Sequence, residues 1–228
     1  MKRWCIGKPS AGYVAKMEEV LDVYQRPYDP RKPVVCLDEG GKEHHSVPRG
    51  EFPVQPGMTR CQDYEYARHG RSNLFMLVEP LAGWRKVFVT DRHAKLDLAE
   101  VLRYLVDDKY PDAEMVTLVT DNLSTHAKSC LYEAFAPEEA LRIARKLDWH
   151  FTPQHGSWLN IAECELSVLT RQCLERCIPD QPSLQREVLA WETKRNTTQV
   201  GVSWHFTVDD ARIKLKRLYP VVKMQKLT

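Results

Sequence analysis

No apolar run in these 228 residues approaches the ~20 that a membrane-spanning helix needs. The opening stretch, Met1-Lys2-Arg3-Trp4-Cys5-Ile6-Gly7, has no hydrophobic segment long enough for a secretory signal. A chain retained in a bacterial cytoplasm or a nucleus is the expectation. C-x-x-C pairs are also missing, and the cysteine count, seven, is odd. Both facts favour reduced structural thiols over a disulfide framework. A zinc site from Cys173, Cys177 and a distant histidine has no support from spacing. Net charge is only +2, so bulk electrostatics do not announce a nucleic-acid binder. Internal repeats and low-complexity tracts are lacking too. What remains is an ordinary globular composition, 43% hydrophobic and 28% charged, long enough for one sizeable core.

Apolar periodicity supplies the elements. Val14, Met17, Val20, Leu21 and Tyr24 recur at helical spacing and predict a helix over 11–24, which Pro27, Pro30 and Pro33 end. Residues 1–33 read as a lead-in helix and linker, with the domain proper starting at Val34. The run Pro33-Val34-Val35-Cys36-Leu37 reads as a strand, and 40–60, rich in Gly, Pro and charge, as a loop. Residues 73–79 and 86–90 form a hairpin about the turn 80–84. An amphipathic helix follows over 94–109, then a strand over 115–120, helices near 126–135 and 138–147, and a strand over 147–152. Helices near 160–177, 183–196 and 208–218 complete the chain. This order predicts an α/β fold, a mixed sheet with helices on both faces, as in the ribonuclease-H-like fold. There the first and fourth strands are neighbours.

Three acids stand out against that plan. Asp38 ends the first strand, Asp121 ends the run Met115–Thr120, and Glu163 follows Ser157-Trp158-Leu159-Asn160 at the start of a helix. Between them lie 82 and 41 residues, so only a tertiary fold can assemble them. Carboxylates gathered at strand ends repel one another unless a divalent cation sits among them, which points to a hard-metal site. Of the competing acids, Glu39 is expected on the opposite face of its strand from Asp38. Glu165 is expected roughly 200° around the helix from Glu163, and Asp91 on a remote strand. Asn160 is placed to cap the helix, leaving Glu163 at its third position, where the helix dipole favours a carboxylate even without metal.

The words around these acids resemble a known family. Asp121-Asn122-Leu123-Ser124-Thr125-His126 and Thr152-Pro153-Gln154-His155-Gly156-Ser157-Trp158-Leu159-Asn160-Ile161-Ala162-Glu163 resemble the two signature stretches of mariner-type transposases. The likeness is greatest to the bacterial insertion-sequence family numbered 630, and Trp204–Leu215 is similar to that family's C-terminal end. The resemblance implies a DDE catalytic domain over 34–200 and a basic C-terminal helix and tail over 201–228. It implies that Asp38, Asp121 and Glu163 are the catalytic and metal-binding triad, served by Mg2+ or Mn2+ as two ions. The implied activity is cleavage of DNA strands and their transfer at the ends of an insertion sequence. Terminal-repeat and target DNA, and a second copy in a homodimer, are the implied partners, with no membrane involved. The implied location is the bacterial cytoplasm, at the nucleoid when DNA is bound.

Further DNA contacts are candidates only. Asn122 and His126 sit beside Asp121, though Asn122 or Ser124 serves equally well as a helix cap. His155, Ser157 and Trp158 precede Glu163, and Trp158 or Trp84 offers a stacking ring where buried packing is the commoner fate. Lys214, Lys216 and Arg217 belong to a basic end, with eight Lys or Arg from Lys194 to Lys226 against Asp209 and Asp210. A departure from the family pattern is the N-terminal region. The 33 residues ahead of Val34 are too few for a helix-turn-helix module. The expectation is a truncated copy, one frame of a split element or an excised domain, with a catalytically silent DNA-binding or dimerising remnant as the alternative reading.

Overall fold

The structure, a computed structural model, describes residues 10–48, 56–57, 65–91, 95–121 and 128–220. Its centre is a five-stranded sheet of β1 (Val34–Ser46), β2 (Ala67–Glu79), β3 (Trp84–Thr90), β4 (Val116–Thr120) and β5 (Leu147–Phe151). The order is β3-β2-β1-β4-β5. β1, β2 and β3 are antiparallel neighbours, whereas β4 runs parallel to both β1 and β5. The mixed α/β sheet with its first and fourth strands adjacent is the arrangement read from the element order.

Strand alternation divides the core in two. Cys36, Leu74, Met76, Val78 and Val119 face one cluster, shared with α1 (Ala11–Gln25), α5 (Ile161–Leu169) and α6 (Gln181–Thr197). Val35, Leu37, Phe75, Leu77, Val116 and Leu118 face the other, covered by α2 (Lys95–Tyr104), α3 (Ser129–Ala134) and α4 (Pro137–Arg145). A short α7 (Val208–Lys214) joins the first layer through Ala211 and is closed by a reciprocal capping box of Thr207 and Asp210. α1, expected as a lead-in outside the domain, buries Met17, Val20, Leu21 and Val23 completely. At roughly 1.5–3 kcal/mol for each fully buried aliphatic side chain, this helix is part of the core.

The expected loop over 40–60 is corrected in its first part. β1 continues to Ser46 and pairs with β2 from Gly40↔Leu74 to Ser46↔Ala67. Gly40 and Gly41 suggested a break, but here they mark close approach. A Cβ on Gly40 would lie 3.3 Å from Leu166 of α5, and one on Gly41 would collide with the Arg71 guanidinium. The long strand therefore gives α5 a bed along its length. Lys42 Nζ donates to the Leu174 and Arg176 carbonyls at 2.6 and 2.9 Å, and the His45 amide to Ile178 O at 3.0 Å.

β3 lies at the sheet edge, where unpaired backbone groups invite association. α6 covers it. Asn196 accepts from the Arg85 amide at 2.9 Å and donates to its carbonyl at 2.8 Å, while Glu192 accepts from the Val87 amide at 2.9 Å. One helical turn thus stands in for a neighbouring strand. Beneath it the fully buried Arg85 faces Glu165 at 3.3 Å, and Arg195 donates to the same carboxylate at 2.8 Å. Burial pulls the Arg85 guanidinium below its ordinary pKa, and Glu165 opposes that shift.

Candidate active site

The β1–β4 register pairs Cys36 with Val119 and Leu37 with Thr120. Carried one residue further, it sets Asp38 beside Asp121. Both share the parity of Cys36 and Val119, so both belong to the sheet face on which α5 lies. Asn160 completes the arrangement. Fully buried, it caps α5 by accepting from the Ala162 amide at 3.1 Å, and its Nδ2 donates to Leu37 O at 2.9 Å. One side chain therefore ties the helix start to the strand residue before Asp38, with Glu163 at the third helical position.

Underneath, the Tyr24 hydroxyl donates to Leu159 O at 2.7 Å and lies 3.4 Å from Cys36 Sγ. Burial pushes the Cys36 thiol up to about 12 and raises the Tyr24 phenol well above its usual range, so both are neutral struts.

The result is a cleft of about 400 Å3 lined by Asp38, Asp121 and Glu163, together with Glu39, Gly40, Ser157, Asn160, Leu166, Ser167 and Thr170. All three acids singled out in the sequence open into this one cavity. They do not form a ready-made ligand shell. Among the described residues no group of three or more His, Cys, Asp or Glu side chains is set to hold a metal. Both observations stand: the walls converge, while the carboxylate tips, like charges, gain by standing apart until a cation sits among them. Among the described residues lining the cleft the side-chain donors are oxygens, which suits a hard divalent ion rather than zinc or copper.

The competing acids separate. Glu165, expected to point away from the cleft, points into the Arg85–Arg195 pair and is buried. Asp91 borders a different cavity, with His44, His69 and Arg71. Glu39, expected on the far face, also borders the cleft. The five described cysteines are free thiols, and burial followed by the Glu163 and Glu165 charges raises that of Cys164.

The other candidate residues scatter around this centre. Ser157 lines the cleft. His155 is exposed in the preceding turn at φ +63°, a conformation few residues other than glycine adopt. Trp158 is 40% exposed, donates to the Tyr13 hydroxyl at 3.4 Å and meets Phe206 edge-on. Lys214 sits over the same Phe206 ring and binds Asp210 at 2.7 Å, outside the cleft lining. Lys216 and Arg217 are exposed on the last turn. Arg195 and Arg212 of the basic end are occupied by Glu165 and Glu18. Trp84 packs against Tyr110 and under Lys109 instead of facing solvent. Asn122, Ser124 and His126 lie outside the described residues.

Sequence reasoning passed over Ser167 and Thr170, although the helical spacing of Glu163, Leu166, Ser167 and Thr170 was there to find them. It also passed over Arg85, since nothing in a hairpin strand marks an arginine for burial.

Residues 33–185 match the family described as DDE superfamily endonuclease. The chain belongs to that family. Its fold is similar to the Mos1 mariner paired end complex with Mn, at 15% identity and a TM-score of 0.53, covering 88% of this chain and 62% of that one. The Mos1 transposase paired-end complex with left transposon end gives 13% and 0.54, covering 88% and 61%. The Mos1 mariner paired end complex with Mg gives 15% and 0.50, covering 90% and 67%. The chain spans about three-fifths of the length of the first two. At these identities the likeness is one of fold. No curated protein matches the chain. Among the described residues of this DDE-family chain, no helix is long and apolar enough to cross a membrane.

Proposed function

We propose that this chain is the catalytic domain of a mariner-type transposase, of the bacterial insertion-sequence family numbered 630, that cuts DNA strands and joins the freed 3′ ends to target DNA. The observation that carries the reading is the convergence of Asp38, Asp121 and Glu163 on one cleft, from a parallel strand pair and a helix start tied together by Asn160. Support also comes from the family match and from the structures of similar fold, which are Mos1 mariner paired end complexes with Mn and with Mg.

Asp38, Asp121 and Glu163 would hold the divalent ions, Mg2+ or Mn2+. When bound, such ions activate an attacking hydroxyl and stabilise the leaving oxygen of a phosphodiester. The chain's own contribution is placement. β1 and β4 fix two carboxylates on rigid backbone, and the Asn160 cap fixes the third. Ser157 offers a hydroxyl at the rim, and Trp158, with His155 beside it and Lys214 beyond Phe206, offers a surface for the DNA outside the cleft. Lys216, Arg217, Asn122 and His126 are further proposed DNA contacts. A second copy of the chain, bridging the two element ends, is the proposed protein partner, and the bacterial nucleoid the proposed location.

A pre-nicked terminal-repeat duplex incubated with the protein and Mg2+ separates the readings. Joined strands in the wild type, lost in Asp121→Asn at unchanged fold, are the expected result. Nicking without joining would leave a metal-dependent endonuclease of the same fold. Inactivity of both proteins on every DNA substrate, with Mg2+ or Mn2+, would overturn the enzyme reading and leave a silent remnant.

A further inference from the structure

The cleft is longer than the carboxylate cluster. On α5 its wall is made by Glu163, Leu166, Ser167 and Thr170, at positions i, i+3, i+4 and i+7 of one helical face. On β1 it is made by Asp38, Glu39 and Gly40. Leu166 presses on Gly40 and forms the floor between the two elements. Ser167 and Thr170 are exposed above that floor. At 1.5 Å per residue their backbone positions stand roughly 6 and 10 Å along the helix from Glu163.

At Thr170 the helix widens into a π turn, Thr170–Leu174, with the Glu175 amide donating to Thr170 O at 3.0 Å. Such turns frequently occur at functional sites. The next residue, Arg171, carries an exposed cation one turn beyond Ser167. Lys42, the nearest cation on β1, is committed to the Leu174 and Arg176 carbonyls. The cleft wall leaving the acidic centre thus carries two hydroxyls, Ser167 and Thr170, and the next residue along the chain is the exposed Arg171, just beyond that lining. A carboxylate-lined centre repels an anionic polymer, so such a strand needs donors and positive charge away from the ions that would hold its reacting phosphate.

We propose that Ser167, Thr170 and Arg171 form a track for successive phosphates of the DNA strand running out of the carboxylate cleft, and that this track sets which phosphodiester reaches Asp38, Asp121 and Glu163. The assignment deepens the strand-cleavage reading and rests on it. Hydroxyls and arginine bind phosphate oxygens without reading bases, so the track positions the strand and carries no sequence preference. These are substrate-positioning residues, distinct from the carboxylates.

The test uses the full chain and a nicked duplex oligonucleotide in which single phosphates on one side of the scissile bond are replaced by neutral methylphosphonates. Binding is measured with Ca2+ and cleavage with Mg2+. Arg171→Ala is expected to lower the slope of log affinity against log salt by about one. The double variant Ser167→Ala/Thr170→Ala is expected to raise KM about tenfold, the equivalent of one charged hydrogen bond, with the effect in KM rather than kcat. One or two methylphosphonate positions should weaken the wild type by the same factor and weaken the double variant no further. That coupling is a readout a merely structural role would not move. All three side chains are exposed, and circular dichroism melts verify that the variants fold. If the wild type binds and cleaves but the variants behave identically, or the methylphosphonate cost is undiminished in the double variant, the track is wrong and the cleavage reading survives. If the wild type neither binds nor cleaves the duplex, both are overturned.

Discussion

Replacing Asn160 with alanine removes two bonds at once and tests how the site is assembled. The first is the cap on α5, worth about 1 kcal/mol when a capping side chain becomes alanine. The second is the bond to Leu37 O, whose loss inside a fully buried site costs roughly 1–3 kcal/mol when the partner is left unsatisfied. Together the expected loss is about 2–4 kcal/mol. In a chain of this size each kcal/mol lowers Tm by about 2–4 °C, so a fall of roughly 4–16 °C is expected by circular dichroism.

Asn160→Ser separates the terms. Serine keeps a capping oxygen but is too short to span to Leu37 O, so it should recover about 1 kcal/mol of the loss. Activity should fall further than stability explains. At a temperature where both proteins are fully folded, nicking by the alanine variant should drop by about 10²-fold, the scale expected for a misplacement near 1 Å. An alanine variant that melts within 2 °C of the wild type, or that nicks DNA at the wild-type rate, would refute the claim that this side chain links β1 to α5.

Glu165→Ala would leave Arg85 and Arg195 facing each other without their shared carboxylate, at a cost of about 3–5 kcal/mol; a chemical-denaturation midpoint unchanged from the wild type would contradict this. Gly83→Ala forces a Cβ at φ +65° to within 2.6 Å of the Gln199 carbonyl, so a loss of about 2–3 kcal/mol is expected in the same assay. The Asp210 carboxyl is held at about 2, chiefly by Lys214 and then by its bonds to Thr207. A folded value below the unfolded one of about 3.9 means that its contribution is present above that pH and lost as pH falls through about 2. The amides of α7 should therefore lose hydrogen-exchange protection across that acid window, and protection that persists below it would show that the capping box does not depend on the charge.

Strand and helix order, the neighbouring β1 and β4, the Asn160 cap and the positions of Asp38, Asp121 and Glu163 were all legible in the chain. The elements and the cap rest on local periodicity or on a residue type with one strong preference, whereas the β1–β4 pairing and the grouping of the three acids followed from the ribonuclease-H-like element order and the family resemblance. The second half of β1 was not legible. Glycine and charge normally signal a loop, and only the facing Leu166 and Arg71, distant in sequence, explain why Gly40 and Gly41 stand inside a strand. The same limit hid Arg85, whose burial depends on Glu165 and on the Val200 carbonyl, the latter accepting from its Nη2 at 2.5 Å. The basic end was only partly legible for a related reason. Charge counted along the chain cannot show that Arg195, Arg212 and Lys214 already have carboxylate partners.

The most direct measurement is a titration of Mn2+ into the wild type and into Asp38→Asn, Asp121→Asn and Glu163→Gln, following the free ion by electron paramagnetic resonance. Wild-type binding that weakens by more than an order of magnitude in each single variant, with every variant melting as a folded protein, is the predicted result. Equal affinity in all four proteins, or no binding by the wild type with or without DNA, would mean that the three carboxylates share a cleft but no cation.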